Sequence, residues 1–496
     1  MSSHKENEAW KEASKAEDRS STFRSSKSSD SRRKAPFYKV LQGMPIAVDA
    51  FRYGAIPGVT AYFLTHAHSD HYTSLSSSWT NGPIYCSQVT SNLIQHMLRV
   101  PSEWVRPLPM DTPTEIPDTG GVRVTLIEAN HCPGSCLFLF EGKQTVDAGD
   151  SVYKSSYVGK EKMWRYLHCG DFRASPAHVN HPSVKGKKID HVYLDTTYLD
   201  PKYTFPSQPQ VISACADLAK RIQDGDSLSA NNARSGTMST WVTRDVKGKQ
   251  KADDINKQLL LDSLVLINIF YRTYSIGKER IVKAIAESVH SKIFCDSRKS
   301  ALLRCQDDPD LHALITRNPS EAQVHIVPLG NVTLDKLKEY VDAVNKKGKI
   351  PWTRVVGFRP TGWTYSPPTG SDLSISSPTD TLISRAKRTT FTYSDLHLGR
   401  GSASFSTSSK PGSLSSTGQA QVQVYPVPYS EHSSFFELTC FALSLEWGKM
   451  IATVNVGSEA SRGKMAKWVE KWEKERKKLK NDGKEYMVPS RMHDYW

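Results

Sequence analysis

Short strand-like runs that alternate with helical stretches predict an α/β fold for this chain. The strand-like runs are rich in β-branched and aromatic residues and lie between turn-forming residues, which favours buried strands. Several of them precede stretches whose apolar residues recur at helical spacing, which favours amphipathic helices. The predicted strands are Val59–Thr65, Val122–Ala129, Cys136–Phe140, His191–Leu194, Leu264–Phe270, Lys292–Cys295, Val324–Val327, Arg354–Phe358, Val422–Tyr425 and Met450–Val456. The predicted helices are Ser87–Leu98, Gly277–Val289, Phe435–Trp447 and Lys464–Lys480.

The length of 496 residues exceeds what one ordinary core contains, so two or more domains are expected. Three segments are too polar to contribute much to a core. Residues 1–36 are rich in Ser, Lys, Arg and Glu and predict a disordered tail, in which Arg32–Lys34 is a candidate nuclear import signal. Residues 224–257 and 366–419 predict surface insertions, the second of low complexity and dominated by Ser, Thr, Pro and Gly.

The net charge favours a polyanionic partner. The chain carries 65 Lys and Arg residues against 51 Asp and Glu residues, a formal net charge of +14 with a sequence pI near 9.2. Such a charge favours nucleic acid or an acidic membrane surface. The eight cysteines form no CxxC pair, which predicts a reduced intracellular protein without a disulfide framework. No signal peptide is expected, and no apolar stretch is long enough to span a bilayer.

One six-residue segment contains four metal-ligand side chains, those of His66, His68, Asp70 and His71. The segment directly follows the predicted strand Val59–Thr65, so it lies at the carboxyl end of that strand. His66 and His68 are two residues apart in extended chain and can share one ion, whereas Asp70 and His71 can turn toward a second. A combination of imidazole and carboxylate ligands suits zinc. Such ligands also bind manganese or iron, with less selectivity. The alternative is a polar surface loop whose Ser and Asp cap a helix.

One loop cannot complete two metal sites, so further ligands are expected at other strand ends. Three downstream segments carry an isolated His or Asp among turn-forming residues, and the candidates are His131, Asp171 and His432. Each has a structural alternative: a turn residue for His131, a helix cap for Asp171 and an ordinary loop histidine for His432. Because the chain also contains the His66–His71 cluster, we favour metal ligation for all three. A closed metal site needs ligands from distant parts of the chain.

Eight short motifs occur in order along the chain, at Ala47–Phe51, His66–His71, Asn130–Ser135, His168–Arg173, Tyr193–Tyr198, Tyr274–Glu279, Phe358–Trp363 and Pro428–Ser434. Together they resemble the metallo-β-lactamase-fold nucleases that carry the β-CASP insertion. Within that family the chain resembles the DNA interstrand cross-link repair exonucleases of the Artemis-related group, and most of all the fungal members. The resemblance extends over residues 37–496 apart from the two polar insertions.

The resemblance implies a four-layer αββα metallo-β-lactamase fold with an inserted α/β β-CASP domain. The metallo-β-lactamase domain would comprise residues 37–205 and would return in residues 420–496. The β-CASP domain would comprise residues 206–365, with the polar insertion 224–257 inside it, and the low-complexity insertion 366–419 would follow.

The chain departs from the family pattern at three places. Residues 1–36 contain no cysteine, so the Cys/His ubiquitin-binding finger of many relatives is expected to be absent from this stretch. Residues 266–272 occupy the place where the family usually has a strand that ends in Gly, and Lys143–Trp164 is longer than usual. None of these places includes a proposed ligand.

The resemblance also implies a role for each candidate ligand. A first ion would be held by His66, His68 and His131, a second by Asp70, His71 and His432, and Asp171 would bridge the two ions. Asp49 and Asp195 would support the site, and with Asp70 and Asp171 they are the candidate catalytic carboxylates. Val454 matches a specificity position that is commonly Val in DNA-acting members and His in RNA-processing members. Zinc is the expected cofactor, in two sites of which the second is weaker.

Phosphate contacts are expected from Arg173, Lys278, Ser430 and Ser433, and backbone N–H groups at the helix start beside Lys278 would favour the same anion. The implied activity is that of a metal-dependent 5′→3′ DNA exonuclease in interstrand cross-link repair in the nucleus. Its partner would be single-stranded or cross-linked DNA with a 5′-phosphate end, with DNA-repair proteins as further partners and no membrane.

Three alternatives remain open. An RNA-processing β-CASP endonuclease is disfavoured by Val454, and a small-molecule hydrolase by the β-CASP insertion and the net charge of +14. A catalytically inactive DNA-binding scaffold is disfavoured because every expected ligand is present.

Overall fold

The structure is a computed structural model that describes residues 8–13, 32–225, 263–268, 276–327, 333–346, 352, 354–365, 367, 374–388, 390–397, 421–481, 487–492 and 495–496. The chain divides into two compact units. Unit 1 comprises Met1–Lys202, Asp372–Lys387 and Glu431–Trp496. Unit 2 comprises Tyr203–Ser371 and Arg388–Ser430.

Strands and helices are numbered separately along the chain. The strands are β1 (Ile46–Val48), β2 (Ala61–Phe63), β3 (Ile84–Ser87), β4 (Val105–Leu108), β5 (Thr114–Glu115), β6 (Arg123–Glu128), β7 (Cys136–Lys143), β8 (Met163–His168), β9 (Ile189–Leu194), β10 (Ser263–Asn268), β11 (Ile293–Phe294), β12 (Ile315–Thr316), β13 (Val324–Val327), β14 (Arg354–Pro360), β15 (Gln421–Val427) and β16 (Trp447–Ala452). The helices are α1 (Gln88–Leu98), α2 (Pro176–Asn180), α3 (Gln208–Gln223), α4 (Glu279–Ser288), α5 (Ser297–Leu303), α6 (Pro309–Leu314), α7 (Leu334–Asn345), α8 (Thr379–Arg388), α9 (Tyr393–His397), α10 (Phe435–Ser444) and α11 (Glu459–Asn481).

Unit 1 contains two β-sheets that pack face to face. The first is parallel, with the order β1-β2-β3-β4, and the second has the order β16-β9-β8-β7-β6-β5 and is antiparallel from β8 to β5. Phe63 of the first sheet lies between the rings of Phe138 and Phe140 of the second, at centroid distances of 5.3 and 4.9 Å. Helix α1 packs on β3 and β4, whereas α10 and α11 pack on each other and α11 also packs on β16. The predicted αββα layering is confirmed.

Unit 2 is built around one parallel sheet with the order β12-β11-β13-β10-β14-β15. Neighbouring residues of β14 face opposite sides of the sheet: Val356 packs in the cluster that contains residues of α3 and α4, and Val355 packs with residues of α7. Helices therefore cover both faces of the sheet at β14, which explains why consecutive residues of this strand are apolar.

The segment 366–419, predicted as a low-complexity insertion, contains the helices α8 and α9. Ile383 of α8 is buried in the core of unit 1, and Leu396 of α9 is buried in the core of unit 2. Thr379 Oγ1 also donates to Glu475 Oε1 at 2.6 Å. The prediction is therefore wrong for this part of the segment, because a few apolar residues at helical spacing anchor it despite a polar average composition.

Two further boundaries need correction. Strand β15 pairs with β14 over its whole length, so residues 421–430 belong to unit 2, and the return to unit 1 begins at Glu431 rather than at residue 420. Residues 8–13, predicted as part of a disordered tail, are helical, and the Trp10 ring lies 4.7 Å from that of Phe37.

Most predicted strands and helices lie within about three residues of the observed bounds. The largest difference is at the start of α11, which begins at Glu459, five residues before the predicted Lys464. Trp447 was expected to end a helix and instead begins β16, whose last residue is Ala452. The predictions for residues 226–257 and 269–272 lie outside the described residues. Among the described residues, no helix has the length and apolar character needed to cross a bilayer.

Candidate metal centre

The candidate ligands of unit 1 lie in loops at the carboxyl ends of its strands. His66, His131 and Asp171 each come three residues after a strand, β2, β6 and β8 respectively. Asp49 and Asp195 directly follow β1 and β9. Because the two sheets pack on each other, these strand ends converge at one edge of the sandwich. His432 completes the group from the loop that precedes α10.

The loop that carries Asp171 packs closely against the loop that begins at Thr65 and carries His66, His68 and His71. Gly170 has a φ of 57°, and a Cβ at this position would lie 2.8 Å from the side chain of Thr65. A larger residue would therefore be strained and would also push the loop away. Asp49 itself has a φ of 50°, a conformation uncommon for residues other than glycine, and two hydrogen bonds from Thr65 hold its carboxylate at 2.8 and 2.9 Å.

One half of the centre consists of three histidines. The Nδ1 atom of His68 lies 2.9 Å from Nε2 of His66 and 3.1 Å from Nε2 of His131. Tetrahedral coordination with Zn–N bonds of about 2.0–2.1 Å would separate two nitrogens by roughly 3.3 Å. The three ring nitrogens therefore approach the spacing that a shared ion requires. We refer to these residues as the three-histidine half.

The other half consists of His71 and His432, each backed by a buried carboxylate. His71 Nδ1 donates to Asp49 Oδ2 at 2.7 Å, and His432 Nδ1 donates to Asp195 Oδ2 at 2.8 Å. Each hydrogen bond turns the opposite ring nitrogen toward the centre, an arrangement typical of metal-ligating histidines. We refer to these two histidines with their carboxylates as the carboxylate-backed half.

Asp171 lies between the two halves. Its Oδ2 atom is 3.2 Å from Nε2 of His71 and 3.9 Å from Nε2 of His432. The same oxygen is 3.7 Å from Nε2 of His66 and 4.0 Å from Nε2 of His131. One carboxylate oxygen therefore lies within 4.0 Å of four imidazole nitrogens, two from each half.

Burial keeps His66 and His131 of the three-histidine half neutral. It lowers the pKa of His66 and of His131 well below the usual imidazole range, and neighbouring histidines lower both further, while Asp171 opposes the shift. His131 Nδ1 donates to the carbonyl of Glu431 at 2.8 Å, which leaves Nε2 as the lone-pair donor. Neutral imidazole is the form that binds a metal ion.

The carboxylate-backed half has the opposite protonation. Burial lowers the pKa of both imidazoles, but Asp171 and Asp49 together raise the pKa of His71 well above its usual value, and Asp195 and Asp171 raise that of His432 to about 9. Burial raises the pKa of Asp171, but His71 and His432 hold it well below the usual carboxyl range. An ion that binds this half must displace the protons of both imidazoles.

Two residues at the centre differ from the sequence-based expectation. Asp70 lies at the rim, with its side chain 78% exposed and its Oδ2 atom 3.8 Å from Nε2 of His71. Cys132, which received no role, is buried, and its Sγ lies within 4.8 Å of the ligand atoms of His66, His68 and His131. The cysteine follows His131 directly, and that adjacency was its only signal in the sequence.

Arg173 and Ser433 were expected to contact phosphate, and the structure shows both side chains buried against partners within the protein. Arg173 is 1% exposed, and its Nε donates to Glu437 Oε1 at 2.9 Å. Ser433 Oγ accepts from the Ala174 N–H and donates to the carbonyl of Phe172, both at 2.9 Å. Both side chains fasten the Asp171 loop to the start of α10. An inward-facing Arg is compatible with burial because a carboxylate neutralises it.

The other two phosphate candidates lie in unit 2. Lys278 is the N-cap of α4, with a φ of 66°, and its Nζ donates to the Pro360 carbonyl at 2.7 Å. The Ser430 carbonyl accepts from Gln208 Nε2 at 3.0 Å, and Gln208 Oε1 accepts from Arg280 Nη1 at 3.0 Å. Gln208 therefore links Ser430 to the first turn of α4, a connection that sequence reasoning missed. We refer to the surroundings of Lys278 and Ser430 as the lysine corner.

Val454, the specificity candidate, lies beside the support for His432. Its N–H donates to Thr196 Oγ1 at 3.3 Å, and its carbonyl accepts from the same hydroxyl. Thr196 directly follows Asp195, so the Val454 backbone holds the loop that orients His432.

Two family models match the chain. The DNA repair metallo-beta-lactamase model matches residues 309–458, and the beta-lactamase superfamily domain matches residues 36–223. The DNA cross-link repair protein pso2/snm1 of Schizosaccharomyces pombe is 39% identical over 444 residues, which cover 89% of this chain and 65% of that protein. The DNA cross-link repair protein SNM1 of Arabidopsis thaliana is 34% identical over 448 residues, which cover 90% of this chain and 72% of that protein.

The 5′ exonuclease Apollo of Gallus gallus matches a shorter part of the chain. It is 39% identical over 182 residues, which cover 37% of this chain and 35% of that protein. The fold and the site define a metallo-β-lactamase superfamily protein with ligands for divalent metal. Within that superfamily the chain belongs to the SNM1 family of DNA cross-link repair proteins. It spans less than two thirds of the length of the Schizosaccharomyces pombe relative.

Proposed function

We propose that this chain is a metal-dependent 5′→3′ DNA exonuclease that acts in interstrand cross-link repair in the nucleus. The observation that carries the proposal is the position of Asp171 Oδ2, within 4.0 Å of imidazole nitrogens from both halves. A shared carboxylate between two groups of ligands is what a two-ion hydrolytic site needs. The family supplies the DNA substrate class, and the net charge of +14 suits a phosphate backbone.

We assign zinc to both halves, with the tighter ion in the three-histidine half. Neutral His66 and His131 offer lone pairs without loss of a proton, and imidazole-rich ligand groups suit zinc. The carboxylate-backed half binds its ion more weakly because His71 and His432 must first be deprotonated. Asp70, exposed at the rim, is the remaining ligand of that half.

The chain contributes positioning and charge to the reaction. When bound, divalent ions supply positive charge for the scissile phosphodiester and make water more acidic, as in other hydrolytic metal sites. Asp49 and Asp195 fix the tautomers of His71 and His432, so Nε2 of each ring faces the reaction centre. Asp70, open to solvent, is placed to exchange a proton with water during hydrolysis. No Ser or Cys nucleophile is required.

Recognition of a strand end is assigned to the lysine corner. A terminal 5′-phosphate carries nearly one more negative charge than an internal phosphodiester, and an ammonium with a hydroxyl donor binds it by charge-assisted hydrogen bonds. Lys278 supplies the ammonium and Ser430 the hydroxyl, and Ser430 precedes the ligand His432 by only two residues. Each such bond contributes roughly 1.5–3 kcal/mol, about tenfold or more in discrimination.

The test is a digest of matched DNA and RNA strands with 5′-phosphate or 5′-hydroxyl ends, with product lengths followed over time. We expect stepwise shortening of DNA from the 5′ end, at least about tenfold slower without the phosphate. Lys278→Ala and Ser430→Ala should remove much of that difference. Internal cutting, equal rates on both ends or a preference for RNA would contradict the proposal.

A further inference from the structure

We propose that Trp363 is a stacking platform for a nucleobase near the 5′ end, so that the enzyme takes up an end whose first bases are unpaired. The inference rests on the proposed DNA exonuclease function and adds to it a preference for frayed or single-stranded ends. It uses a residue of the Phe358–Trp363 motif to which the metal chemistry gives no role.

Trp363 is 59% exposed, which is the largest value for a large hydrophobic side chain among the described residues. A single exposed hydrophobic residue is ordinary on a protein surface, so exposure alone indicates little. An indole is, however, the side chain best suited to stack on a base, and its position decides whether it can do so.

Two hydrogen bonds and one ring contact position the turn that carries Trp363. The N–H of Thr361 donates to the Val427 carbonyl at 2.9 Å, which ties the end of β14 to the end of β15. Thr361 Oγ1 then accepts from the N–H of Trp363 at 3.4 Å, and the ring of Tyr203 packs at 87° to the indole with a centroid distance of 5.6 Å. A side chain held in place before it binds loses less conformational entropy on binding.

The same turn lies beside the lysine corner. Lys278 Nζ donates to the carbonyl of Pro360, three residues before Trp363, and Pro360 pairs with Val427, three residues before Ser430. All lie at the carboxyl ends of neighbouring parallel strands, where α/β sheets bind ligands. Proteins that bind single strands combine a cation for the backbone with an aromatic ring for the base.

A stacking contact at this place has a consequence for substrate choice. A base that stacks on an indole has to leave its own stack, which costs little at a frayed or single-stranded end and more at a paired one. The wild-type protein should therefore digest a 5′-phosphorylated frayed duplex faster than the matched blunt duplex. That preference should depend on Trp363.

The experiment compares Trp363→Ala with Trp363→Phe, which keeps an aromatic face, and with Met163→Ala, which removes a side chain of similar exposure in unit 1. Affinity for a 5′-phosphorylated single strand is measured on the Asp171→Asn background, so that the DNA stays intact. Trp363→Ala should weaken binding by about 5- to 100-fold, whereas Trp363→Phe should restore most of it and Met163→Ala should have no effect.

A second set of strands carries one abasic nucleotide at each of the first four positions in turn. At the position that stacks, the strand should bind Trp363→Ala and the parent protein equally. The stacking role would be overturned if Trp363→Ala and the parent protein bound intact strands with equal affinity. It would also be overturned if Trp363→Ala bound every abasic strand more weakly than the parent protein. If the wild-type protein fails to digest any DNA, the proposed function is wrong, whereas normal digestion with an unaltered Trp363→Ala variant refutes only this inference.

Discussion

The two halves of the metal centre use histidine in opposite protonation states. In the three-histidine half, burial among other imidazoles lowers the pKa values of His66 and His131, and no carboxylate of the described residues hydrogen-bonds to either ring. In the carboxylate-backed half, Asp171 and Asp49 raise the pKa of His71, and Asp195 and Asp171 raise that of His432. The pKa values of the two pairs of histidines therefore differ because carboxylates hydrogen-bond to the rings of His71 and His432.

This difference indicates a division of labour. The neutral imidazoles of His66 and His131 can bind an ion directly, whereas the protonated imidazoles of His71 and His432 must lose a proton before they bind one. The second half therefore responds to pH and to metal concentration, and the first half is expected to stay loaded. Asp171 couples the halves because its Oδ2 atom approaches both.

The largest effect is expected from Asp171→Asn, which removes the charge shared by both halves. Cleavage should fall by more than about 10³-fold, because both ions lose an anionic ligand and the site loses its charge complementarity. DNA affinity should stay nearly unchanged, since phosphate contacts elsewhere supply binding. Fluorescence anisotropy with a labelled strand and a parallel digest measure the two quantities. A variant that cleaves within tenfold of the wild-type rate would show that Asp171 does not link the halves.

Single ligand variants should separate the halves. His131→Ala should lose the tight ion and therefore nearly all activity, whereas His432→Ala should retain one zinc per chain and lose the second. Metal content after gel filtration, measured by mass spectrometry, distinguishes them. If His432→Ala and His131→Ala lose metal equally, the two sites do not differ in affinity for zinc, which would contradict the proposed tight and weak ions.

The supporting carboxylates should have an intermediate effect. Asp49→Asn and Asp195→Asn keep the shape of the side chain but remove the charge that raises the pKa values of His71 and His432. Each should reduce activity or weak-site affinity by about 10–100-fold, with the tight ion retained. Zinc titration followed by calorimetry reports both sites in one experiment. Loss of the tight ion in either variant would show that the carboxylate supports the three-histidine half, contrary to the assignment.

The affinities of the two halves for their ions should also differ in their dependence on pH. As the pH falls from 8 to 6, affinity at the carboxylate-backed half should drop by about tenfold to a hundredfold per unit, because one or two protons compete with the ion. Affinity at the three-histidine half should change little, because His66 and His131 stay neutral in this range. Competition with a chelator at both pH values measures each affinity. Parallel pH slopes for the two ions would contradict the assignment.

The sign of the linkage to folding follows from the same shift. The folded-state pKa of His432, about 9, lies above its unfolded value, so the ion pair with Asp195 stabilises the metal-free fold fully below about pH 6.5. That contribution is lost as the pH rises through 9. Thermal melts of metal-free wild-type protein and His432→Gln at pH 7 and pH 10 should therefore converge at the higher pH.

The sequence predicted the fold class and the candidate ligands because both depend on local patterns. His66, His131 and Asp171 each follow an apolar strand at the same short distance, and such strands are legible from composition. The resemblance then supplied the partners that lie far apart in the chain. These ligand assignments stay predictions until metal content is measured.

The directions of side chains could not be predicted. Arg173 and Ser433 were expected to face the substrate, but they turn inward because Glu437 and the backbone beside Phe172 offer buried partners. Likewise, Ile383 anchors a segment whose average composition is polar. Which way a charged residue faces depends on a partner hundreds of residues away, and local patterning contains no information about it.

The most direct test of the central claim is zinc reconstitution of chelated protein. The protein is stripped of metal, and digestion of a 5′-phosphorylated single strand is followed as zinc is added in steps. We expect no digestion of DNA without metal, little with one equivalent, and stepwise 5′→3′ shortening as the second equivalent binds, with Asp171→Asn inactive throughout. Full activity in the stripped preparation, or full activity after the first equivalent, would contradict a two-ion centre shared through Asp171.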